Sequence, residues 1–159
     1  MIAHTVLAVD PGRDKCGVAI VDSRLTILHR QVVATQRLDG AARDLVRRFD
    51  PDVILVGNGT FSREARQILE QVEGSPPLIT VDERHTTERA RLEYWRMNPP
   101  RGIWRLVPQG LRHPPEAYDD LAAYVMARDY LSGSRPPSNA HLADDTSDGR
   151  AGRPSPDDP

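Results

Sequence analysis

Three short stretches of this sequence place carboxylates where a folded chain rarely puts them. VLAVDPG ends an apolar run on Asp10, PLITVDE ends another on Asp82 and Glu83, and PPEAYDD gathers Glu116, Asp119 and Asp120. Carboxylates held together and partly buried repel one another unless a cation joins them. A set made only of acidic oxygens suits a hard ion, Mg²⁺ or Mn²⁺, better than a soft one. Each stretch also has a plainer reading. Asp10 with Pro11 and Gly12 is a good turn opener, Asp82 could cap the helix that follows, and Asp119 with Asp120 could line a solvated helix face. What separates the readings is whether the fold brings the three stretches to one point.

The elements that would carry them can be read from period. Thr5 to Val9 is a β-favouring apolar run, and Cys16, Val18 and Ile20 alternate down a return strand, with Leu25 to Ala34 as a third. These three form an antiparallel meander. The period then becomes helical over Ala42, Leu45, Val46 and Phe49, with Asp39 as N-cap and Asp50-Pro51 as the stop. Asp52 to Gly57 is a strand apolar on both sides, and the helix after it turns Ala65, Ile68, Leu69 and Val72 inward. Pro77 to Val81 is a second buried strand. Thr86 or Thr87 caps a third helix to about Met97, and a last helix runs from Pro114 or Pro115 to Leu131, with Tyr118, Leu121, Ala122, Val125 and Met126 as its packing face. Right-handed crossovers set the two later strands parallel beside the first. The expected fold is α/β, a mixed five-stranded sheet of three antiparallel and then two parallel strands, flanked by helices. In such sheets, sites form at the carboxyl ends of central strands.

The chain of 159 residues is about one domain long, and its net charge of −2 says little about partners. Residues 1–131 read as that domain. From Ser132 to Pro159 Leu142 is the only large apolar side chain, too little to offset the entropy of ordering, so 132–159 reads as a disordered polar tail. Neither a membrane-length apolar run nor a signal peptide is present, and a cytoplasmic location is expected. Cys16 is the single cysteine, which excludes an intrachain disulfide and a cysteine-based zinc site. It reads as a small core residue. Charge is uneven: between residues 84 and 112 seven arginines face only Glu88 and Glu93.

Taken together, AVDPGRDKCGVAIVD, VDERHTTERAR and PPEAYDDLAAYVMARDYL resemble the YqgF family, also called RuvX, of the RNase H-like superfamily, related to the RuvC Holliday-junction resolvases. The resemblance covers about residues 4 to 131. GNGTFSREA, residues 57 to 65, is closer to the YqgF-like domain of the Tex transcription-associated proteins, which are not generally active nucleases. The resemblance implies hydrolysis of phosphodiester bonds with two metal ions, Mg²⁺ or Mn²⁺, and places the family's catalytic carboxylates on Asp10, Glu83 and Asp119. Asp10 would bridge the metals, Glu83 would support the one that activates water, and Asp119 the one at the leaving oxygen. Glu116 and Asp120 are second-rank ligand candidates. His85 and His113 are candidate proton shuttles and equally ordinary surface groups.

A phosphate polymer would find its counter-charge in Arg13, Lys15, Arg84, Arg89, Arg96, Arg101, Arg105 and Arg112, with Trp104 offering a stacking face. The expected activity is a nuclease acting on RNA, in 5′ maturation of the 16S ribosomal RNA precursor, by a monomer or homodimer. Two alternatives stand beside it. One is a resolvase-like nuclease acting on structured DNA; the other is a catalytically silent nucleic-acid-binding module.

Overall fold

The computed structural model describes residues 4–82, 86–99, 106 and 119–133. Strands β1 (Thr5–Asp10), β2 (Lys15–Asp22) and β3 (Ile27–Ala34) pair antiparallel in sequence order, as the alternation predicts. A 3₁₀ turn at Thr35–Arg37 leads into α1 (Leu38–Phe49), followed by β4 (Val53–Gly57), α2 (Ser62–Glu70) and β5 (Leu78–Val81). Helices α3 (Thr86–Met97) and α4 (Asp119–Leu131) complete the described chain. The five strands lie in the order β3-β2-β1-β4-β5, with β4 parallel to β1 and β5 parallel to β4. The expected mixed sheet is therefore present, with β1 in the middle.

A middle strand has no wet face, which is why VLAV and VILV run apolar without alternation. Leu7, Val9, Val18, Ile20, Ile54 and Val56 pack on one side against Leu38, Ala42, Leu45, Ala65 and Leu69 of α1 and α2. Val6, Ala8, Ala19, Val21, Val53, Leu55 and Val81 pack on the other against α4. Each buried Leu, Ile or Val contributes roughly 1.5–3 kcal/mol by removal from water, so the two clusters supply most of the driving force. The strands that carry Asp10 and precede Asp82 are anchored on both faces.

Several expectations change. Helix α1 starts one residue before Asp39, with Arg37 at the N-cap position, because the 3₁₀ turn delivers the chain into the helix. Asp39 falls in the first turn instead, where its charge still meets the positive helix end. Strand β3 starts at Ile27, not Leu25. Asp22 accepts backbone hydrogen bonds from Arg24 (3.0 Å) and Thr26 (2.8 Å), and Leu25 takes a left-handed φ of 65° inside that turn. Helix α4 is buried around its whole circumference from Leu121 to Ala127, not on one face, because α3 covers the side turned away from the sheet. Cys16 is fully buried, as a core residue should be.

The expected start of the last helix at Pro114 or Pro115, and the expected tail beyond Gly133, lie outside the described residues. Among the described residues no helix is long and apolar enough to cross a membrane.

Candidate functional site

Asp10 is the last residue of β1 and stands within the ladder, opposite Gly17 of β2. It is both the hairpin residue and a mid-sheet carboxylate. Side chains alternate along a strand, so Asp10 shares the face of Val6 and Ala8, the face covered by α4. The parallel register pairs Val9 with Val56, which brings Asp10 level with Gly57 of β4. The carboxylate is thus flanked in its own row by Gly17 and Gly57, two buried residues without side chains. Behind it lie Ala8 with Ala19 of β2 on one side and Leu55 of β4 on the other. No side chain at 17 or 57 stands in the row beside Asp10.

The turn after Asp10 is built tightly. A Cβ on Gly12 would lie 2.3 Å from the carbonyl oxygen of Lys15, so no other residue fits there without moving backbone. Pro11 is buried, whereas Arg13 and Lys15 are exposed beside it. Thr35, at the end of β3, holds the turn from the side. Its N–H donates to the Asp14 carbonyl (3.0 Å) and its hydroxyl to the Gly12 carbonyl (2.9 Å).

Asp82 follows β5 directly, so it lies at the same carboxyl edge of the parallel strands as Asp10. One strand separates β5 from β1, which sets their axes about 10 Å apart. Between them the β4–α2 loop begins with Asn58, whose N–H donates to the Val81 carbonyl (3.0 Å). Its place between the two acidic strand ends follows from strand order, which the sequence alone does not print. Asp119 is the first residue of α4 and Asp120 the second, on the helix that crosses the Asp10 face. Position 119 stands one turn before Ala123, which is fully buried. Glu83, Arg84, His85, Arg101, Trp104, Arg105, Arg112, His113 and Glu116 lie outside the described residues. Among the described residues no three His, Cys, Asp or Glu side chains form a metal-binding group.

The arginine-rich segment is less free than its sequence suggests. Arg89 of α3 makes a two-pronged ion pair with Asp129 of α4, its Nη2 donating to Oδ1 at 2.9 Å. Arg96 donates to Glu93 through Nε (3.1 Å) and Nη2 (2.5 Å), and Arg128 reaches the same carboxylate through Nη1 at 3.1 Å. Glu93 and Asp129 are buried, 6% and 3% exposed. Hydrogen bonding from the Arg96 guanidinium, helped by the charges of Arg96 and Arg128, holds the Glu93 carboxyl below its ordinary value although burial pushes it up. Arg89 and Arg96 are therefore held by ion pairs inside the α3–α4 pair, where three arginines share two carboxylates and one positive charge is left over. Asp129 and Arg128 lie well outside the basic segment, so counting charges between 84 and 112 could not reveal this pairing. Tyr94 packs on the α4 cluster with Trp95 edge-on at 5.2 Å.

The fold is RNase H-like. It matches the Thermus thermophilus RuvC structure with a TM-score of 0.53 and 20% identity, over 84% of this chain and 99% of the RuvC chain. A second structure, T. thermophilus RuvC in complex with Holliday junction substrate, matches with the same score and identity over 84% of this chain and 98% of that one. At that identity the likeness is one of architecture. None of the curated proteins matches the sequence. The family model for the Tex protein YqgF-like domain matches residues 4–86, a stretch that includes Asp10, the Gly57–Ala65 segment and the acidic end of β5. With just over half of its length in that match, the chain belongs to the Tex protein YqgF-like domain family.

Proposed function

We propose that this protein is a divalent-metal-dependent nuclease that hydrolyses phosphodiester bonds of RNA, with maturation of the 16S ribosomal RNA precursor as its setting. The observation that carries the reading is the placement of Asp10: a carboxylate on the middle strand, at the carboxyl edge, on the α4 face and flanked by Gly17 and Gly57. A second acidic strand end, Asp82, shares that edge, Glu83 is next to it in sequence, and α4 opens on Asp119-Asp120. A donor set of carboxylate oxygens fits Mg²⁺ or Mn²⁺. Asp10, Glu83 and Asp119 would hold the metal, with Glu116 and Asp120 in reserve, and bound metal would supply the charge that activates water and stabilises the leaving oxygen. The side chains orient and exclude: Asp10 is fixed by the ladder, Gly17 and Gly57 leave space for a phosphodiester, and exposed Arg13 and Lys15 offer counter-charge beside it. The RuvC neighbour's Holliday junction makes structured DNA the other substrate to test.

The test is cleavage of single-stranded RNA and of a four-way DNA junction with Mn²⁺, by the full chain and by Asp10→Asn. Metal-dependent cleavage that Asp10→Asn abolishes is the expected result; full activity in Asp10→Asn would reject the reading. A catalytically silent binding module is favoured instead by the Tex-type family match, and salt-sensitive RNA binding without turnover under any divalent cation would establish it.

A further inference from the structure

We infer that Thr35 is a positioning residue for the Asp10 site, acting through the turn that follows the carboxylate; the inference rests on the nuclease reading above. The chain leaves Asp10 through Pro11, which has no N–H to anchor it, and through Gly12, where a close approach to Lys15 forbids any side chain. The ladder fixes Asp10 itself against Gly17, but it says nothing of how the four residues from Pro11 to Asp14 are rotated about the strand end. That rotation decides where Arg13 stands relative to the Asp10 carboxylate.

Thr35 fixes it with two bonds from one residue. Its backbone N–H meets the carbonyl of Asp14 and its hydroxyl meets the carbonyl of Gly12, at 3.0 and 2.9 Å. Two carbonyls two residues apart, held from one point, cannot pivot independently. The Cys16 thiol closes the cluster, 3.4 Å from the Thr35 hydroxyl and 3.9 Å from the Gly12 carbonyl. Thr35 is only 7% exposed, so water cannot take over the hydroxyl's role when it is removed. The β2–β3 register, which pairs Lys15 with Ala34, sets Thr35 opposite Asp14, and the 3₁₀ turn begins at that point. A hydroxyl spent on the backbone of the turn after a metal-facing carboxylate acts on the reaction through that turn and not through substrate contact.

The experiment compares wild type with Thr35→Val, Thr35→Ala and Thr35→Ser in the full chain. It reads calorimetric binding of Mn²⁺ alone, kcat and KM for Mn²⁺-dependent cleavage of single-stranded RNA, and the melting temperature. Val and Ala remove the hydroxyl, whereas Ser keeps it. The expected result is weaker Mn²⁺ binding and a kcat lowered about 10- to 100-fold in the Val and Ala variants, with KM within about threefold. Serine should stay within about threefold of wild type in both readouts. A valine variant too unstable to assay leaves the alanine and serine pair to decide. Val and Ala variants that bind Mn²⁺ and turn over like wild type, beside an inactive Asp10→Asn, would overturn the inference alone. So would a serine variant as impaired as alanine. An active Asp10→Asn would remove the nuclease reading and this inference with it.

Discussion

The two faces of the sheet are closed by different physics. On the α1–α2 side the interface is apolar, from Leu7 and Ile20 to Leu45 and Leu69, and its ion pairs lie on the outside. Arg47 and Glu73 sit 3.8 Å apart with both side chains mostly in water, and Arg66 with Glu70 is an exposed pair one helical turn apart. On the α4 side the apolar layer is capped by α3, and the two helices are joined by buried Glu93 and Asp129 with three arginines. Exposed pairs add little, whereas breaking a buried one leaves a charge without a partner. Asp10 faces the apolar layer beneath α4. The side that bears the candidate site thus adds directional charge, between its two helices, to buried area, whereas the opposite side rests on area alone.

The comparison is tested most severely at Asp10. Asp10→Asn is expected to abolish Mn²⁺-dependent cleavage while shifting the melting temperature little, since the substitution keeps shape and removes charge. A coupled collapse of fold and activity would mean that Asp10 is a structural group and that the two faces do not divide by role. On the opposite face, Leu69→Ala should cost about 2–5 kcal/mol in denaturant unfolding, with any surviving folded protein retaining its metal response. Asp129→Ala comes next, at about 2–3 kcal/mol, because Arg89 can partly recover solvent once its buried partner is gone.

Titration separates the faces more finely. Glu93 is held below its ordinary value of 4.5, so its contribution is fully present above that pH and is lost as pH falls through the lower folded value. Asp52, whose carboxylate accepts hydrogen bonds from the N–H groups of Thr5 and His4, is lowered too and acts in the same direction, as does Asp22 in its turn. Glu93→Gln should therefore flatten the acid limb of the melting profile without removing it; an unchanged limb would deny the network its stabilising role. Glu73→Ala is the smallest change, expected within about 0.5 kcal/mol in denaturant unfolding and smaller still at high salt, which screens an exposed pair.

Much of this architecture was legible in the residues. The double-sided apolar runs at Val6–Val9 and Val53–Val56 fit buried parallel strands, and Asp10 and Asp82, which follow the first of them and the run Pro77–Val81, fall at one edge once those strands are parallel. Asp10 was recognisable for that reason. The pairing of Arg89 was not legible, because the carboxylate that meets it is forty residues away in sequence. Thr35 gave no signal, since a threonine closing a β-rich run is ordinary until its two carbonyl partners are seen. Helix α4 read as one-sided because Asp119 and Asp120 precede its buried stretch, and its burial all round from Leu121 to Ala127 comes with α3 packed against it.

By itself, then, the order of residues settled the period of each element, the placing of the two later strands parallel to the first, and which strands end on a carboxylate. These follow from local sterics and from burial pattern, which nearby residues decide. Tertiary structure alone decided the row that sets Asp10 between two glycines, the clasp of Thr35 on the following turn, and the pairing of Arg89 and Arg96 with buried acids. Each of those depends on where distant segments cross, and side chains far apart along the chain have no local preference that encodes their meeting.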